Sequence, residues 1–578
     1  MPSVKRLQLG PIVGHTDEQS ARIWIRVSDD PSFYTLTVHR VGEFQFVGTE
    51  TEEEFQFGTA IAIAQGLRAN HPYRYTVRRL GRELAGAKGS FQTMPPPEYL
   101  NELTFVVISC SDQEDAGAWE KLKQFIDDTQ PRCLLMIGDQ IYVDNATRNV
   151  PNIWDDHLED SSERRRDLIA EKYQESWSRP YVSEILANIP CYMMWDDHDI
   201  RDGWGSFAPD SQTLSERYPL GTSIHEKYTA FFEDARHVCW HFQMVHNPPP
   251  LTNMILQPPL AYNIAETIKP RYAASKDPVD AMPFVFRLGR SAIVVVDSRG
   301  QRDVWREKDP ILGTPQWAFL NSVVDQLPEE TDAVIVVTPG PIVSNAPYGE
   351  AQMMVGGRTD DVSMFKKGDE EGLRKVYSTT GTETTGSSIG NLFAGLTVYG
   401  ANAAGIPINF GTLQLNQIDD VRDQWSHTFS RAEQERLLHL AARARTVNRP
   451  SGRPRALLFV GGDLHVGGLF RIDMKKPACT FECVFSSGIG KVADEPFPGF
   501  LGTLVDREFE VANGIEAELK YLVQAYNFGI VSIIPNGKSP HIAAHVVHTG
   551  EGSHVWGAFQ LGQPTELNRL RDKAKGLS

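Results

Sequence analysis

What this chain lacks narrows it first. Its 578 residues hold only six cysteines (Cys110, Cys133, Cys191, Cys239, Cys479 and Cys483), too few for a disulfide framework to carry a fold of this length. No apolar run approaches the roughly 18 to 20 residues that a membrane-spanning helix needs; the stretch from Ser291 to Val296 stops at Asp297. The start, Met1-Pro2-Ser3-Val4-Lys5-Arg6-Leu7, has two basic residues but neither an apolar stretch nor a small-residue cleavage site behind them, so it does not read as a secretory signal. Positive charge is scarce as well: 57 Lys and Arg stand against 74 Asp and Glu, a net charge of −17. Such a surface repels nucleic-acid phosphates and anionic membranes. The expectations are therefore no stable nucleic-acid partner, no transmembrane segment, cytoplasmic residence, and an oligomeric state the sequence leaves open.

What is present is ordinary globular composition, 41% hydrophobic and 23% charged. Up to about Thr93 the pattern alternates in twos: Ala21, Ile23, Ile25 and Val27 share one face against Arg22, Trp24 and Arg26, and Tyr73, Tyr75 and Val77 alternate with Arg74 and Thr76. That period predicts a half-buried antiparallel sheet. The stretch Leu67-Arg68-Ala69-Asn70-His71-Pro72-Tyr73-Arg74-Tyr75 resembles the corner of fibronectin type III and immunoglobulin-like sandwiches, where a leucine precedes paired tyrosines. Pro95-Pro96-Pro97 cannot join a sheet and reads as a stiff linker. A β-sandwich domain over 1–97 and a second domain over 98–578 are expected.

Beyond the linker the pattern changes to short continuous apolar runs, as in strands buried on both faces. They are Phe105 to Ile108, Leu134 to Ile137, Tyr192 to Trp195, Ile293 to Val296, Val334 to Val337 and Leu457 to Val460. Helix signals lie between them. Thr314-Pro315 is placed as a cap with a proline in the first turn, and Ser430 with Glu433 as a capping box. The fold class is α/β (α+β), and long polar stretches near 145–190, 205–280 and 345–420 read as insertions.

The residues that follow those runs are the informative ones, because ligands collect beyond the carboxyl ends of strands in open α/β sheets. The runs lead into Ser109-Cys110-Ser111-Asp112, Gly138-Asp139-Gln140-Ile141-Tyr142, Asp196-Asp197-His198-Asp199, and Gly461-Gly462-Asp463-Leu464-His465. One carboxylate at a strand end is ordinarily a cap or turn former. Acids gathered at one sheet edge repel one another unless cations neutralise them, so four such segments point to a metal pair.

In their order, with Asp297-Ser298-Arg299 between the third and the last, these segments resemble the PhoD-like (alkaline phosphatase D) branch of the metallophosphoesterases, a family that also carries a small N-terminal β-sandwich. The resemblance implies a metallophosphoesterase-type β-sandwich core flanked by helices. It implies Asp139 as a carboxylate bridging two metals, Cys110 and Tyr142 as ligands where the wider group has aspartates, Asp197, Asp463 and His465 as further ligands, and His198 as the catalytic histidine. Asp196 is a ligand or a support for its loop. Thiolate and phenolate donors favour a trivalent or redox-capable metal, and the resemblance implies Fe(3+) with Ca(2+), with Zn(2+) and Mn(2+) as the alternatives. Two departures are visible: Val336-Val337-Thr338-Pro339-Gly340 offers no histidine, and Asp423-Gln424-Trp425-Ser426-His427 differs from the family's usual Asp-Gln-Trp-Asp-Gly-Tyr. Many members are exported on a twin-arginine leader, so secretion is the expectation only for a chain from which such a leader was removed.

The expected chemistry is phosphoric ester hydrolysis, monoester or diester. Two cations on the order of 3.5 to 4 Å apart clamp the attacking and leaving oxygens, and a metal-activated hydroxide attacks phosphorus in line. His198 would donate a proton to the departing alkoxide, with Asp197 and Asp199 keeping it charged. Arg299 and Arg302 follow a strand and could grip phosphate oxygens, or pair with Asp297 or Asp303 instead. A small phosphate ester, a phospholipid head group or a nucleotide all fit as substrate. A protein that binds metal and a phosphorylated ligand on the same fold without turnover is the alternative.

Competing motifs are weaker. Gly386-Ser387-Ser388-Ile389-Gly390 matches G-x-S-x-G but has no strand before it. Gly488-Ile489-Gly490-Lys491 lacks the spacing of a phosphate loop and reads as a turn. His541, His545 and His548 alternate as a strand does, and Cys479 and Cys483 read as packed thiols.

Overall fold

The alternating N-terminal segments close on each other face to face. In the computed structural model, which describes residues 7–50, 56–112, 117–206, 223–248, 281–303, 308–344, 423–426, 430–491, 508–534 and 541–556, eight short strands form two antiparallel sheets. One has the order β1 (Leu7–Thr16), β2 (Ala21–Val27), β6 (Thr59–Ala64), β5 (Val47–Gly48). The other runs β4 (Gly42–Gln45), β3 (Tyr34–Val38), β7 (Pro72–Arg79), β8 (Arg82–Gln92). Ala21, Ile23, Ile25 and Val27 meet Leu36, Val38, Tyr75 and Val77 in the core between them. The Tyr73 hydroxyl accepts the backbone N–H of Arg68 at 2.7 Å, the tyrosine-corner contact that the sequence resembles.

The expected half-buried sheet is covered on both sides. Trp24 is fully buried and its Nε1 donates to the carbonyl of His241 at 3.0 Å, while Arg22 Nη1 donates to the carbonyl of Val245 at 3.0 Å. Both belong to the face read as polar. The error has a physical reason: an indole and a long guanidinium stem are largely apolar and can pack against a neighbouring body with their polar tips satisfied.

All six apolar runs are strands of one mixed sheet: β9 (Leu103–Ile108), β10 (Leu134–Ile137), β11 (Cys191–Met194), β13 (Ser291–Val295), β14 (Ala333–Val337) and β15 (Ala456–Gly461). The remaining members are β12 (Phe284–Leu288), β16 (Gly467–Lys475), β17 (Ala478–Ser486), β18 (Glu508–Ala512), β19 (Ile515–Ile534) and β20 (His541–Trp556). The order is β11-β10-β9-β19-β16-β17-β15-β14-β13-β12, with β18 and β20 pairing β19. Parallel pairing joins β9, β10 and β11 at one end, and β13, β14, β15 and β17 towards the other. The long strand β19 links the two halves, pairing β16 through Ile515 to Val523 and β9 through Gly529 to Ile533.

Helices cover the sheet. In β13 to β15 the alternation sends Ile293, Val295, Ile335, Val337, Leu458 and Val460 into one hydrophobic cluster and Val294, Val334, Val336, Leu457 and Phe459 into another. The first cluster includes residues of α1 (Ala118–Thr129), α2 (Ile153–His157), α3 (Ser162–Trp177), α4 (Val182–Leu186) and α5 (Ser223–Phe242). The second includes residues of α6 (Gly313–Asp325) and α7 (Arg431–Ala444). The stretch near 145–190, read as an insertion, thus contains three helices that join the core. Of the stretch near 205–280 the described part contains α5, and the stretch at 345–420, with its G-x-S-x-G match, lies outside the described residues.

Neither expected helix cap forms as read. Helix α6 begins at Gly313 behind Leu312 without a side-chain cap, and Thr314 Oγ1 donates instead to Asp309 Oδ2 at 3.1 Å. Ser430 makes no capping bond either. Glu433 reaches across to the other helix, accepting from the backbone N–H of Ile311 at 2.6 Å and Leu312 at 3.1 Å and from Trp317 Nε1 at 2.7 Å. A partner helix thus supplies the acceptor that local sequence does not. Among the described residues no helix is long and apolar enough to cross a membrane, and all six cysteines are free.

Candidate metal centre

The site is built from the turns that follow strands. Cys110 follows β9, Asp139 and Tyr142 follow β10, Asp196 to His198 follow β11, and Asp463 and His465 follow β15. These turns are tied directly to one another. The backbone N–H of Ser111 donates to the carbonyl of Asp139 at 2.8 Å, and that of Asp463 to Ser109 Oγ at 3.3 Å. A Cβ on Gly462 would stand 2.4 Å from Ser109 Oγ, so only glycine lets the β15 turn close on the β9 turn. Cys110, Asp139, Asp463 and His465 all take left-handed backbone, with φ of 57°, 50°, 72° and 55°. Each such residue costs on the order of 1–3 kcal/mol, a strain that accumulates where side chains must be aimed.

Those turns bring the expected ligands into two groups that share one carboxylate. Cys110, Asp139 and His465 offer donor atoms within 4.8 Å of one another, and so do Asp139, Asp197 and Asp463. Tyr142 joins the first group, its Oη 3.2 Å from His465 Nε2. Cys110 Sγ lies 3.3 Å from Asp139 Oδ2 and 2.9 Å from Ser487 Oγ.

The polar atoms of this cluster are unsatisfied in the way a cation would satisfy them. Asp139 Oδ1, Asp196 Oδ2 and Asp197 Oδ1 are buried without a hydrogen-bond partner, and Asp197 Oδ1 lies 3.3 Å from Arg299 Nη2 without forming such a bond. Burial, then the charge of Asp197, pushes the carboxyl of Asp139 well up. The same two causes raise Asp463 to about 7. Burial, then Asp139, raises the Cys110 thiol, and burial, then Cys110 and Asp139, raises the Tyr142 phenol. Burial, then Lys491 and His198, holds His465 neutral, the form that ligates. Carboxyl, thiol and phenol groups packed this closely ionise together only around positive charge. The donor set of thiol, phenol, imidazole and carboxylate suits one transition metal, and the all-carboxylate triad suits a harder ion. The residues present fit a metal pair, which the two donor groups sharing Asp139 would hold.

His198 sits at the edge of the cluster. Its ring lies 4.2 Å, centroid to centroid, from that of Tyr142, and its Nδ1 lies 2.9 Å from Asp144 Oδ1. Burial opposes the imidazolium, but Asp144 and then Asp197 outweigh it and hold the group well above the usual histidine range. Asp144 is itself held down to about 2: burial alone would raise it, and the charge of His198 overrides that. The expectation that Asp199 supports His198 is corrected. Asp199 faces inward, accepting from the backbone N–H of Asp196 at 2.9 Å, from Tyr173 Oη at 3.2 Å and from Gln243 Nε2 at 2.9 Å. In the short 3₁₀ turn Asp197–Asp199 alternate side chains cannot face the same way, and the supporting acid comes from the β10 turn.

The two arginines are not open phosphate clamps. Arg299 is 2% exposed, and its guanidinium bonds Asp196 Oδ1 and both oxygens of Asp423. Arg302 lies 3.1 Å from Asp423 Oδ1 and also meets Ser206 Oγ at 3.0 Å. Their partners are neither Asp297 nor Asp303; Asp297 Oδ1 accepts from the backbone N–H of Arg299 and Gly300, each at 2.9 Å, and so closes its own turn. Asp423 comes from the segment that departs from the family's usual pattern, and its neighbour Gln424 donates through Nε2 to Asp463 Oδ2 at 2.8 Å; His427 lies outside the described residues.

Sequence reasoning passed over Asp144, Ser487 and Lys491. Asp144 was within reach, being an acid two residues beyond Tyr142. Ser487, which also accepts from the backbone N–H of His465 at 2.8 Å, carries no signal because it follows the end of β17 with no motif around it. The Gly488 to Lys491 segment is a turn, as read, but it delivers Lys491 Nζ to 4.6 Å from the Tyr142 ring centroid. His541, His545 and His548 lie on β20, and Cys483 is packed and buried.

Residues 105–235 match the family profile described as PhoD-like phosphatase. Among solved structures, one of PhoD covers 99% of this chain and 98% of its own, with a TM-score of 0.52 and 13% identity. The structure of purple acid phosphatase PPD1 from yellow lupin (Lupinus luteus) seeds covers 93% of this chain and 74% of its own, with a TM-score of 0.41 and 9% identity. The first likeness is one of fold. No curated protein matches the chain.

Proposed function

We propose, from the match of residues 105–235 to the PhoD-like phosphatase profile, that this chain is a metal-dependent hydrolase of phosphoric esters. The observation that carries this reading is the pair of donor groups, Cys110, Asp139 and His465 beside Asp139, Asp197 and Asp463, sharing one carboxylate. Cys110, Tyr142, Asp139 and His465 would hold an iron-type ion, and Asp139, Asp197 and Asp463 a calcium-type ion. When bound, such a pair supplies Lewis-acid polarisation of the phosphoryl group and acidifies water.

The chain's own residues do the rest. Asp144 fixes the His198 ring through Nδ1, leaving Nε2 to donate a proton to the departing alkoxide. Arg299 holds Asp196 and, through Asp423, the wall beside Asp463, so it positions ligands rather than substrate. Ser487 steadies both the Cys110 thiol and the His465 backbone.

The test combines metal analysis with one substitution. Plasma mass spectrometry of the purified protein should give iron and calcium near whole-number ratios; zinc or manganese would keep the hydrolase and overturn the iron assignment, and a folded protein that takes up no metal would leave only a binding role. His198→Ala should lower turnover roughly 10²- to 10⁴-fold with metal content unchanged, and wild-type turnover in that variant would remove His198 as the acid.

A further inference from the structure

We propose that Lys491 is the substrate-phosphate contact of this site and that it favours phosphomonoesters over phosphodiesters; the inference rests on the phosphoesterase reading and deepens it. The ammonium lies 4.6 Å from the centroid of the Tyr142 ring. That ring in turn lies tilted against His198, 4.2 Å between centroids, and sets its hydroxyl 3.2 Å from His465 Nε2. One aromatic ring thus separates Lys491 from both the ligand group and the proton donor.

The other cations of the site are already engaged. Arg299 is bound by Asp196 and Asp423, Arg302 by Asp423, and His198 by Asp144. Lys491 stands against the Tyr142 ring instead, with Asp112, Asp144, Asp139 and Asp202 acting on it by charge alone, and it makes no ion pair with a described residue. An ammonium on a flexible stem, beside a metal cluster and uncommitted to a carboxylate, is suited to meet an incoming anion.

Its placement is built into the fold. The backbone N–H groups of Gly488 and Ile489 donate to the carbonyl of Ser109 at 3.3 and 3.1 Å, and that of Gly490 to the carbonyl of Cys110 at 3.0 Å. A Cβ on Gly490 would stand 2.1 Å from the carbonyl oxygen of Asp112. The strap that carries Lys491 is therefore fastened to the turn that carries Cys110, which fixes where the flexible stem of Lys491 begins. A dianionic monoester carries more charge to such a cation than a monoanionic diester, so the contact discriminates between them.

Wild type, Lys491→Met and Lys491→Arg are to be compared on 4-nitrophenyl phosphate and bis(4-nitrophenyl) phosphate, with inorganic phosphate titrated calorimetrically and metal content measured. Lys491→Met should raise KM for the monoester and Kd for inorganic phosphate roughly 10- to 100-fold, the loss expected of one charge-assisted contact, with a clearly smaller loss on the diester and unchanged metal content. Lys491→Arg should recover most of both. Equal losses on the two esters, unaltered phosphate affinity, or loss of metal would each overturn the proposal. Wild type that hydrolyses neither ester would overturn the phosphoesterase reading instead, and the phosphate titration would still decide for or against Lys491.

Discussion

Arg299 shows how a residue's role depends on what surrounds its charge. Removing one partner of a buried ion pair strands the other, at a cost of about 3–5 kcal/mol. Arg299→Met leaves Asp196 without its cation and Asp423 with Arg302 alone, so the free energy of unfolding should fall by an amount in that range, read as a lower denaturant midpoint at constant slope. A phosphate clamp would behave in the opposite way, with an unchanged midpoint and a raised KM. The same logic separates Asp199 from Asp144 beside His198. Spacing along the chain offered Asp199 as the nearer acid, yet a side chain's direction is set by backbone torsion, and the torsions of the turn point Asp199 at Tyr173 and Gln243.

At the scale of elements, the strands were legible and the helix ends were not. Six apolar runs became six strands within a residue or two, because burial on both faces demands an uninterrupted apolar stretch. Helix ends depend on whichever acceptor happens to lie nearby, and for α6 that acceptor is Glu433 on α7. Glu433→Ala should therefore cost at least about 1–3 kcal/mol, the penalty for a buried donor left unmade. Thermal or denaturant unfolding checks this, and activity per folded molecule should stay at the wild-type level, since Glu433 touches none of the site residues.

At the scale of the whole molecule, the N-terminal sandwich is locked to the body built on the mixed sheet through buried histidines. His15 on β1 lies 3.2 Å from the Tyr192 hydroxyl of β11, and the His246 ring lies 5.3 Å from that of Trp24 and 6.2 Å from that of Trp177. His237 on α5 packs 5.5 Å from Phe57. Burial lowers His15 to about 4, and His237 and His246 to about 3. The unfolded chain therefore takes up protons first as the pH falls through about 6.5. Stability should be whole above that pH, decline as pH drops towards about 4, and level off below about 3, with a slope of up to roughly 1.4 kcal/mol per pH unit for each histidine. Urea unfolding across this range checks the sign, and a flat profile would mean that the histidines are hydrated.

The sequence by itself determined the strands, the class of the fold and the identity of the metal-competent side chains, because periodicity and residue chemistry are local properties. It also carried the family resemblance, which rests on short motifs in order. Only the tertiary structure decided how those residues act together: that Asp139 is common to two donor groups, that Arg299 is consumed by Asp196 and Asp423, and that Asp144 rather than Asp199 holds His198. Lys491 belongs to the same class, since a turn with no motif of its own reaches the site through three backbone hydrogen bonds to the β9 turn. Each of these is a meeting of residues far apart in the chain, and such meetings are fixed by how strands order within a sheet, which no local pattern encodes.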